Sequence, residues 1–247
     1  HGDPIVRGGM FAVWNDIVGN GISEKDVHNR VFPALQVLAQ KMWTAEDTKP
    51  TLFEFNTRKK VIGEAPGLNM RGYYGDQKEG LIFSESFDKA TKQGVQQTLP
   101  LAEIGENYTV SFWVKPASGF AGKLFTSKNA VVSYSATEGL FYERDGYRYN
   151  STLKLPQDTW SFITVTGDKN GTQFYLNDKL VNDMKPETIV LDTKDSGGKE
   201  VKFNKIKTLV FPLAEVTFKD ALISDLKVYN LKMNSAEIVD EFKSTKK

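Results

Sequence analysis

Residues 108–114 alternate without interruption: Tyr108, Val110, Phe112 and Val114 share one parity, and Thr109, Ser111 and Trp113 the other. Successive side chains of a strand point to opposite faces, so this run predicts a strand with one face turned to a core. Lys115-Pro116 ends it, because proline cannot donate to a ladder. Similar runs follow at Trp160–Thr166, at Thr172–Leu176 after a turn at Lys169-Asn170-Gly171, at Ile206–Phe211 and at Leu222–Tyr229. Asn177-Asp178 is a tight-turn signal before Lys179-Leu180-Val181. Short strands divided by turn residues predict an antiparallel β-sandwich. A short helix closes the pattern, capped near Asn234 or Ser235, with Ile238 and Phe242 on its apolar side.

The first 63 residues follow a different pattern. The run 9–14 is mainly small and apolar, which fits a strand buried on both faces of a parallel sheet. After Gly19 and Gly21, Ser23 is placed to cap a helix, with Asp26 three positions on. Val27 and Val31 fall at helical spacing. Pro33 predicts a break and a second helix opening there, with Leu35, Leu38 and Met42 along one face and Trp43 at its end. Thr51 with Glu54 is a capping-box pattern opening a third helix, whose apolar side carries Leu52, Phe55 and Ile62. A glycine-rich linker spans 64–80, and strands begin at 81.

Composition removes several function classes. The 247 residues suffice for one or two domains, and 40% of them are hydrophobic, so a sizeable core is available. Lys and Arg (32) nearly cancel Asp and Glu (31), which argues against nucleic acid or anionic lipid as a partner. The chain has no cysteine, so disulfide and thiolate chemistry are excluded. No apolar run approaches the roughly 20 residues of a membrane span, and no signal peptide is visible. His28 stands alone in a helical pattern, where a core or surface role outweighs metal ligation. The sequon-like Asn107, Asn150 and Asn170 carry little weight.

The segment from Gly9 to Trp43, with VWND at 13–16, RVFPAL at 30–35 and KMW at 41–43, resembles the eighth strand and helix of glycoside hydrolase family 20, the β-N-acetylhexosaminidases and lacto-N-biosidases. EFNTRKKVIGEAPGLN at 54–69 resembles the segment that follows that barrel. The resemblance covers about a quarter of the chain. It implies that Trp14 walls the pocket for an N-acetylhexosamine ring and that Asp16 accepts hydrogen bonds from sugar hydroxyls. The chemistry is sensible, since an indole packs on sugar C–H groups and a carboxylate accepts from hydroxyls. Without the resemblance, Trp14 reads as core and Asp16 as a helix-entry cap. A (β/α)8 barrel takes roughly 250 residues, so the chain reads as the tail of a larger enzyme. In that family the substrate's own acetamide attacks the anomeric carbon, while an adjacent Asp-Glu pair orients the acetamide and protonates the leaving oxygen. That pair is expected upstream. Asp240-Glu241 is the only such dipeptide, and it sits in a C-terminal helical pattern, so no catalytic residue is assigned in this chain.

The later part resembles the laminin-G-like, concanavalin-type jelly roll through YTVSFWVKP at 108–116, WSFITVTGD at 160–168, GTQFYLNDKLV at 171–181 and ISDLKVYNLKMNSAEI at 223–238. It departs at Asp178, where a glycine is common, and at Lys219-Asp220. The expected architecture is therefore mostly β: residues 81–243 form an antiparallel jelly-roll sandwich, preceded by residues 1–63 as the last strand and helices of a truncated (β/α)8 barrel. Modules of this kind often bind glycans. The run 142–149 offers the candidate sugar face: Tyr142, Tyr147 and Tyr149 to stack, Arg144 and Asp145 to read hydroxyls. The bland alternative is a hairpin whose tyrosines simply cover the sheet. Asp88, Asp220 and Asp225 are candidate oxygen donors for a rim Ca²⁺, which needs 6–8 oxygens. No cofactor is required.

These readings imply an inactive fragment of a bacterial, extracellular or cell-surface family 20 glycosidase, whose jelly roll is a candidate carbohydrate-binding module. Its expected partners are glycans ending in N-acetylhexosamine or galactose and the missing portion of its own barrel. Self-association through the orphan strand and helices is a further expectation. The alternative is a purely structural domain that buttresses the barrel.

Overall fold

The computed structural model describes residues 8–13, 24–43, 50–62, 80–87, 94–105, 107–128, 130–144, 147–168, 170–185, 188–194, 196–204, 209–245 and 247. The chain divides into two compact units, His1–Met70 and Arg71–Lys247.

In the first unit, helix α1 spans Glu24–Trp43 and α2 spans Leu52–Ile62. The break expected at Pro33 is absent, because α1 runs through it as one helix. An interior proline costs about 3 kcal/mol. Good helix formers on its C-terminal side, Ala34 to Met42, offset that cost. The expected strand at 9–14 does not form over 8–13, since a strand needs a neighbour to receive its ladder hydrogen bonds. This stretch instead lies against α1, where a Cβ on Gly9 would meet Leu38 Cδ1 at 2.9 Å and Met42 Sδ at 3.8 Å. The capping box opening α2 is formed. Thr51 N–H and Oγ1–H both donate to Glu54 Oε2 (2.8 and 2.9 Å), and Glu54 N–H donates back to Thr51 Oγ1. The bond from the Thr51 N–H holds the Glu54 carboxyl below its ordinary range. Ser23 lies outside the described residues.

The second unit is a sandwich. Its strands are β1 (Leu81–Glu85), β2 (Val95–Thr98), β3 (Glu103–Ile104), β4 (Tyr108–Pro116), β5 (Gly122–Thr126), β6 (Ala130–Ser135), β7 (Gly139–Arg144) and β8 (Tyr147–Asn150). There follow β9 (Ser161–Asp168), β10 (Gly171–Leu176), β11 (Lys179–Met184), β12 (Thr188–Lys194), β13 (Glu200–Asn204), β14 (Phe211–Pro212), β15 (Glu215–Phe218) and β16 (Ala221–Tyr229), then helix α3 (Ser235–Ser244). Two six-stranded sheets carry the architecture: sheet A, ordered β1-β16-β4-β9-β10-β11, and sheet B, ordered β2-β15-β5-β6-β7-β8. All pairings within them are antiparallel. Non-consecutive neighbours such as β16-β4 and β15-β5 mark the jelly-roll crossovers.

The core fills the space between the sheets. Sheet A contributes Val110, Phe112, Val114, Ile163, Val165 and Phe174, and sheet B contributes Leu124, Phe125, Val132, Leu140, Val216 and Phe218. Phe112, Phe125 and Phe218 form an aromatic centre with centroids 5.1 to 5.9 Å apart, a spacing at which tilted and edge-on pairs attract. The run expected as a strand over 206–211 narrows, among described residues, to Phe211–Pro212 paired with Ile104 and Glu103. Leu209, Val210 and Leu213 are buried beside it, and Leu213 N–H donates to the Ala102 carbonyl at 2.9 Å.

The outer face of sheet A is covered by α3. Asn234 caps that helix through a capping box with Glu237. Ile238 is buried with Met233 and Tyr175, and Phe242 stacks against Trp113 and Phe162 at 5.6 and 5.9 Å. None of the described helices is long and apolar enough to cross a membrane.

Candidate functional site

The candidate residues of the second unit lie on the β7–β8 hairpin, at the edge of sheet B. Register pairs Tyr142 with Tyr149, Arg144 with Tyr147, Glu143 with Arg148 and Phe141 with Asn150. Tyr142, Arg144 and Tyr149 therefore share one strand face, and Phe141, Glu143, Arg148 and Asn150 the other.

The tyrosine face turns inward. Tyr142 is a core residue, and its hydroxyl donates to the Val210 carbonyl at 3.0 Å. Its neighbour Tyr149 is half-buried and packs against the same core, with ring centroids 6.1 Å apart at 45°. Arg144 is half-buried at the hairpin end. Asp145 and the side chain of Tyr147 lie outside the described residues. The described side chains of this face thus grade from a sealed ring at Tyr142 to the half-buried Tyr149 and Arg144.

The opposite face carries a group that the tyrosine pattern did not flag. The Arg148 guanidinium lies over the Phe141 ring at 3.7 Å. It also pairs with Glu138 at 2.5 Å and Glu143 at 3.9 Å. All three charged side chains are about two-fifths exposed, so this group is held flat yet wetted. Arginine stacked on a ring and forked to carboxylates loses little freedom when it meets a ligand hydroxyl. The only sequence signal for it was parity: Phe141 and Glu143 on one strand, Arg148 on the next.

The turn before β7 is fixed by Gly139, at φ +82°. A Cβ there would meet the Leu153 carbonyl oxygen at 2.4 Å. Leu140 N–H donates to that same oxygen at 2.8 Å, while Ser151 N–H and Oγ donate to the Leu140 carbonyl. The segment leaving β8 is thereby folded back onto the start of β7, which clamps the hairpin.

The other candidates separate. Trp14, Asp16 and Asp88 lie outside the described residues. Asp225 sits on the β16 bulge at φ +50°; its carboxylate pairs with Lys247 at 2.8 Å and accepts from Ser224 Oγ. Asp220 is exposed in a turn, and its carbonyl accepts from Ala117 N–H. Among the described residues, no three of His, Cys, Asp and Glu gather as a metal group. His28 is exposed on α1. Glu241, of the Asp240-Glu241 dipeptide, is structural, accepting from Lys227 Nζ at 2.8 Å and Tyr229 Oη at 3.1 Å.

Residues 89–239, more than half of the chain, match a family model described as the concanavalin A-like lectin/glucanases superfamily. No curated protein sequence matches the chain. Similar solved structures include domain 4 of AbnA, a GH43 extracellular arabinanase from Geobacillus stearothermophilus, in complex with arabinotriose, at 16% identity and a TM-score of 0.40 over 66% of this chain and 98% of that one. A second is the botulinum neurotoxin serotype D ligand binding domain in complex with N-acetylneuraminic acid, at 13% identity and a TM-score of 0.40 over 66% and 46% of the two chains. A third is the Trypanosoma rangeli sialidase, at 13% identity and a TM-score of 0.35 over 56% and 23%. The chain spans less than half the length of these last two. At such identities the likeness concerns the fold alone.

Proposed function

The chain belongs to the concanavalin A-like lectin/glucanases superfamily, and from that membership we propose that its sandwich is a carbohydrate-binding module carried by a glycosidase. One observation carries the reading: the clamped edge hairpin β7–β8, which sets Arg144 and Tyr149 half-buried near its turn and backs them with the Phe141–Arg148–Glu138–Glu143 group. An aromatic ring beside forked donors and acceptors is what a sugar needs, a flat C–H face to stack and paired hydroxyls to read. In this reading Tyr147, Tyr149, Arg144 and Asp145 meet the sugar, and Tyr142 supports them from the core. The module would hold the enzyme near its substrate and raise the effective concentration by tethering.

The parent enzyme, in the same proposal, is a secreted family 20 hydrolase of terminal β-linked N-acetylhexosamine, or one releasing a disaccharide such as lacto-N-biose. Residues 1–63 would be the end of its barrel, 64–80 the linker and 81–243 the module. Trp14 and Asp16 would complete the sugar pocket, and the chain itself would lack the acid. The motifs at 13–16, 30–35 and 41–43 support this parentage. So do Trp43, Leu52, Phe53 and Val61, which are exposed on the first unit as helices lacking a barrel would leave them. The competing reading is a purely structural buttress, favoured by the burial of Tyr142 in the core.

A panel of glycans ending in galactose or N-acetylhexosamine, titrated with and without Ca²⁺, separates the two. The module reading expects binding weakened by Tyr147→Ala and by Tyr149→Ala. No binding to any glycan at millimolar sugar leaves the buttress. The chain should not turn over a chromogenic N-acetylglucosaminide; turnover abolished by Asp16→Asn would overturn the fragment reading.

A further inference from the structure

The two faces of sheet A differ in kind. Inside stand Val110, Phe112, Val114, Ile163 and Val165. Outside, register brings Lys227, Ser111, Thr164 and Tyr175 into one row across β16, β4, β9 and β10. The next row is Tyr229, Thr109, Thr166 and Gln173, and a third sets Ser224 beside Trp113 and Phe162. Within these four strands the rows carry no aliphatic side chain, and leucines enter only at the sheet edges, Leu81 beside Tyr229 and Leu180 beside Tyr175. Hydroxyls, an amide and aromatic rings make a face suited to water or sugar, not to a hydrocarbon interior.

That face is nevertheless sealed. Residues 231–245 lie across it and are fastened at five places, one of them the ion pair of Lys232 Nζ with Asp168 Oδ2 at 3.1 Å. Thr109 Oγ1 donates to the Leu231 carbonyl and accepts from Met233 N–H, both at 2.9 Å. Tyr175 clusters with Met233 and Ile238. Glu241 takes Lys227 and Tyr229. Phe242 covers Trp113 and Phe162, and Trp113 Nε1 donates to Thr245 Oγ1 at 3.1 Å. These fastenings bracket Ser111, Thr164 and Thr166, whose hydroxyls are fully buried and have no hydrogen-bond partner among the described residues. A buried hydroxyl without a partner opposes the closed state, and lifting the cover to admit water relieves it. The cover is thus held at its ends and by Ile238 at its middle, while the unpaired hydroxyls beneath it oppose closure.

We propose that residues 231–245 form a strap that opens from the folded sandwich, and that the face beneath is a latent site for a neutral oligosaccharide. Trp113, Phe162 and Tyr175 would supply rings for stacking, and the Ser111, Thr164 and Thr166 hydroxyls would supply donors and acceptors. The site lies on the sheet opposite the β7–β8 hairpin, so it stands or falls independently of that reading.

Amide exchange of the full chain tests the strap. The α3 amides should exchange at least about 100-fold faster than those of β4 and β9, as a separate opening requires. Glu241→Gln should speed α3 further and leave β4 and β9 unchanged. Chitotriose should then bind Glu241→Gln/Phe242→Ala at least about tenfold more tightly than the unsubstituted chain, with the gain reversed by adding Thr164→Val. Protection of β4 and β9 reports whether each variant is folded; if the double variant is not, Glu241→Gln alone is compared. Exchange of α3 together with β4 and β9 overturns the strap. An opened strap with no gain in chitotriose binding overturns the latent site.

Discussion

Thr164 lies at the centre of sheet A with about 1% of its surface exposed, and its hydroxyl has no partner among the described residues. Thr164→Val keeps the shape and the branching at Cβ and replaces the hydroxyl by a methyl. The desolvation penalty of an unpaired hydroxyl is about 1–3 kcal/mol, and the substitution removes it while adding a buried apolar group to the Ile238–Met233–Tyr175 cover. A gain of about 1–2 kcal/mol in the stability of the sandwich is expected. For a unit of this size that corresponds to a rise in Tm of roughly 2–8 °C. Urea titration followed through the near-ultraviolet signal of the Trp113–Phe162–Phe242 cluster reads it directly, as a higher midpoint at unchanged slope. Ser111→Ala, across the ladder from Thr164, should be close to neutral, because it removes a second unpaired hydroxyl but leaves a smaller side chain. A loss of more than about 1 kcal/mol for both substitutions would mean instead that these hydroxyls are paired in the folded chain.

Two further outcomes follow from particular contacts. Gly139→Ala should cost about 2–4 kcal/mol, combining left-handed strain with loss of the Leu140–Leu153 hydrogen bond, whereas Gly119→Ala, at φ +78° in open space, should cost only about 1 kcal/mol; urea midpoints compare the two. Burial, and then the Glu241 carboxylate beside it, pushes the Tyr229 phenol up from its ordinary value of 10.0. The resulting stabilisation is complete below pH 10 and declines as pH rises above it toward the folded value. Midpoints measured between roughly pH 9 and 11 should therefore fall more steeply for the unsubstituted chain than for Tyr229→Phe.

Sheet A was legible because its central strands alternate over long runs, and β4, β9, β10 and β16 lie where period-two reading puts them. Sheet B was less legible, since its edge strand β2 is Val95-Gln96-Gln97-Thr98, whose single apolar residue gives no periodic signal. In the hairpin, parity separates Tyr142 from Phe141, but only packing decides which parity meets the core. Leu140 and Tyr142 join Val132 and Tyr134 inside, which turns Phe141 and Arg148 outward as a pair seven residues apart. Pro33 misled in the other direction, because a helix with strong formers beyond the proline tolerates one missing hydrogen bond. The unpaired hydroxyls of sheet A could not be foreseen, because β4 alone does not reveal that its polar face will be covered by residues more than a hundred positions away.

The most direct test of the account is calorimetric titration of the full chain with lacto-N-biose, repeated with Tyr149→Ala and Arg144→Ala. The proposed function expects binding by the unsubstituted chain and at least about tenfold weaker binding by each variant, equivalent to about 1.4 kcal/mol. Equal affinity in all three chains, or no heat from any, would contradict a carbohydrate site on the β7–β8 hairpin.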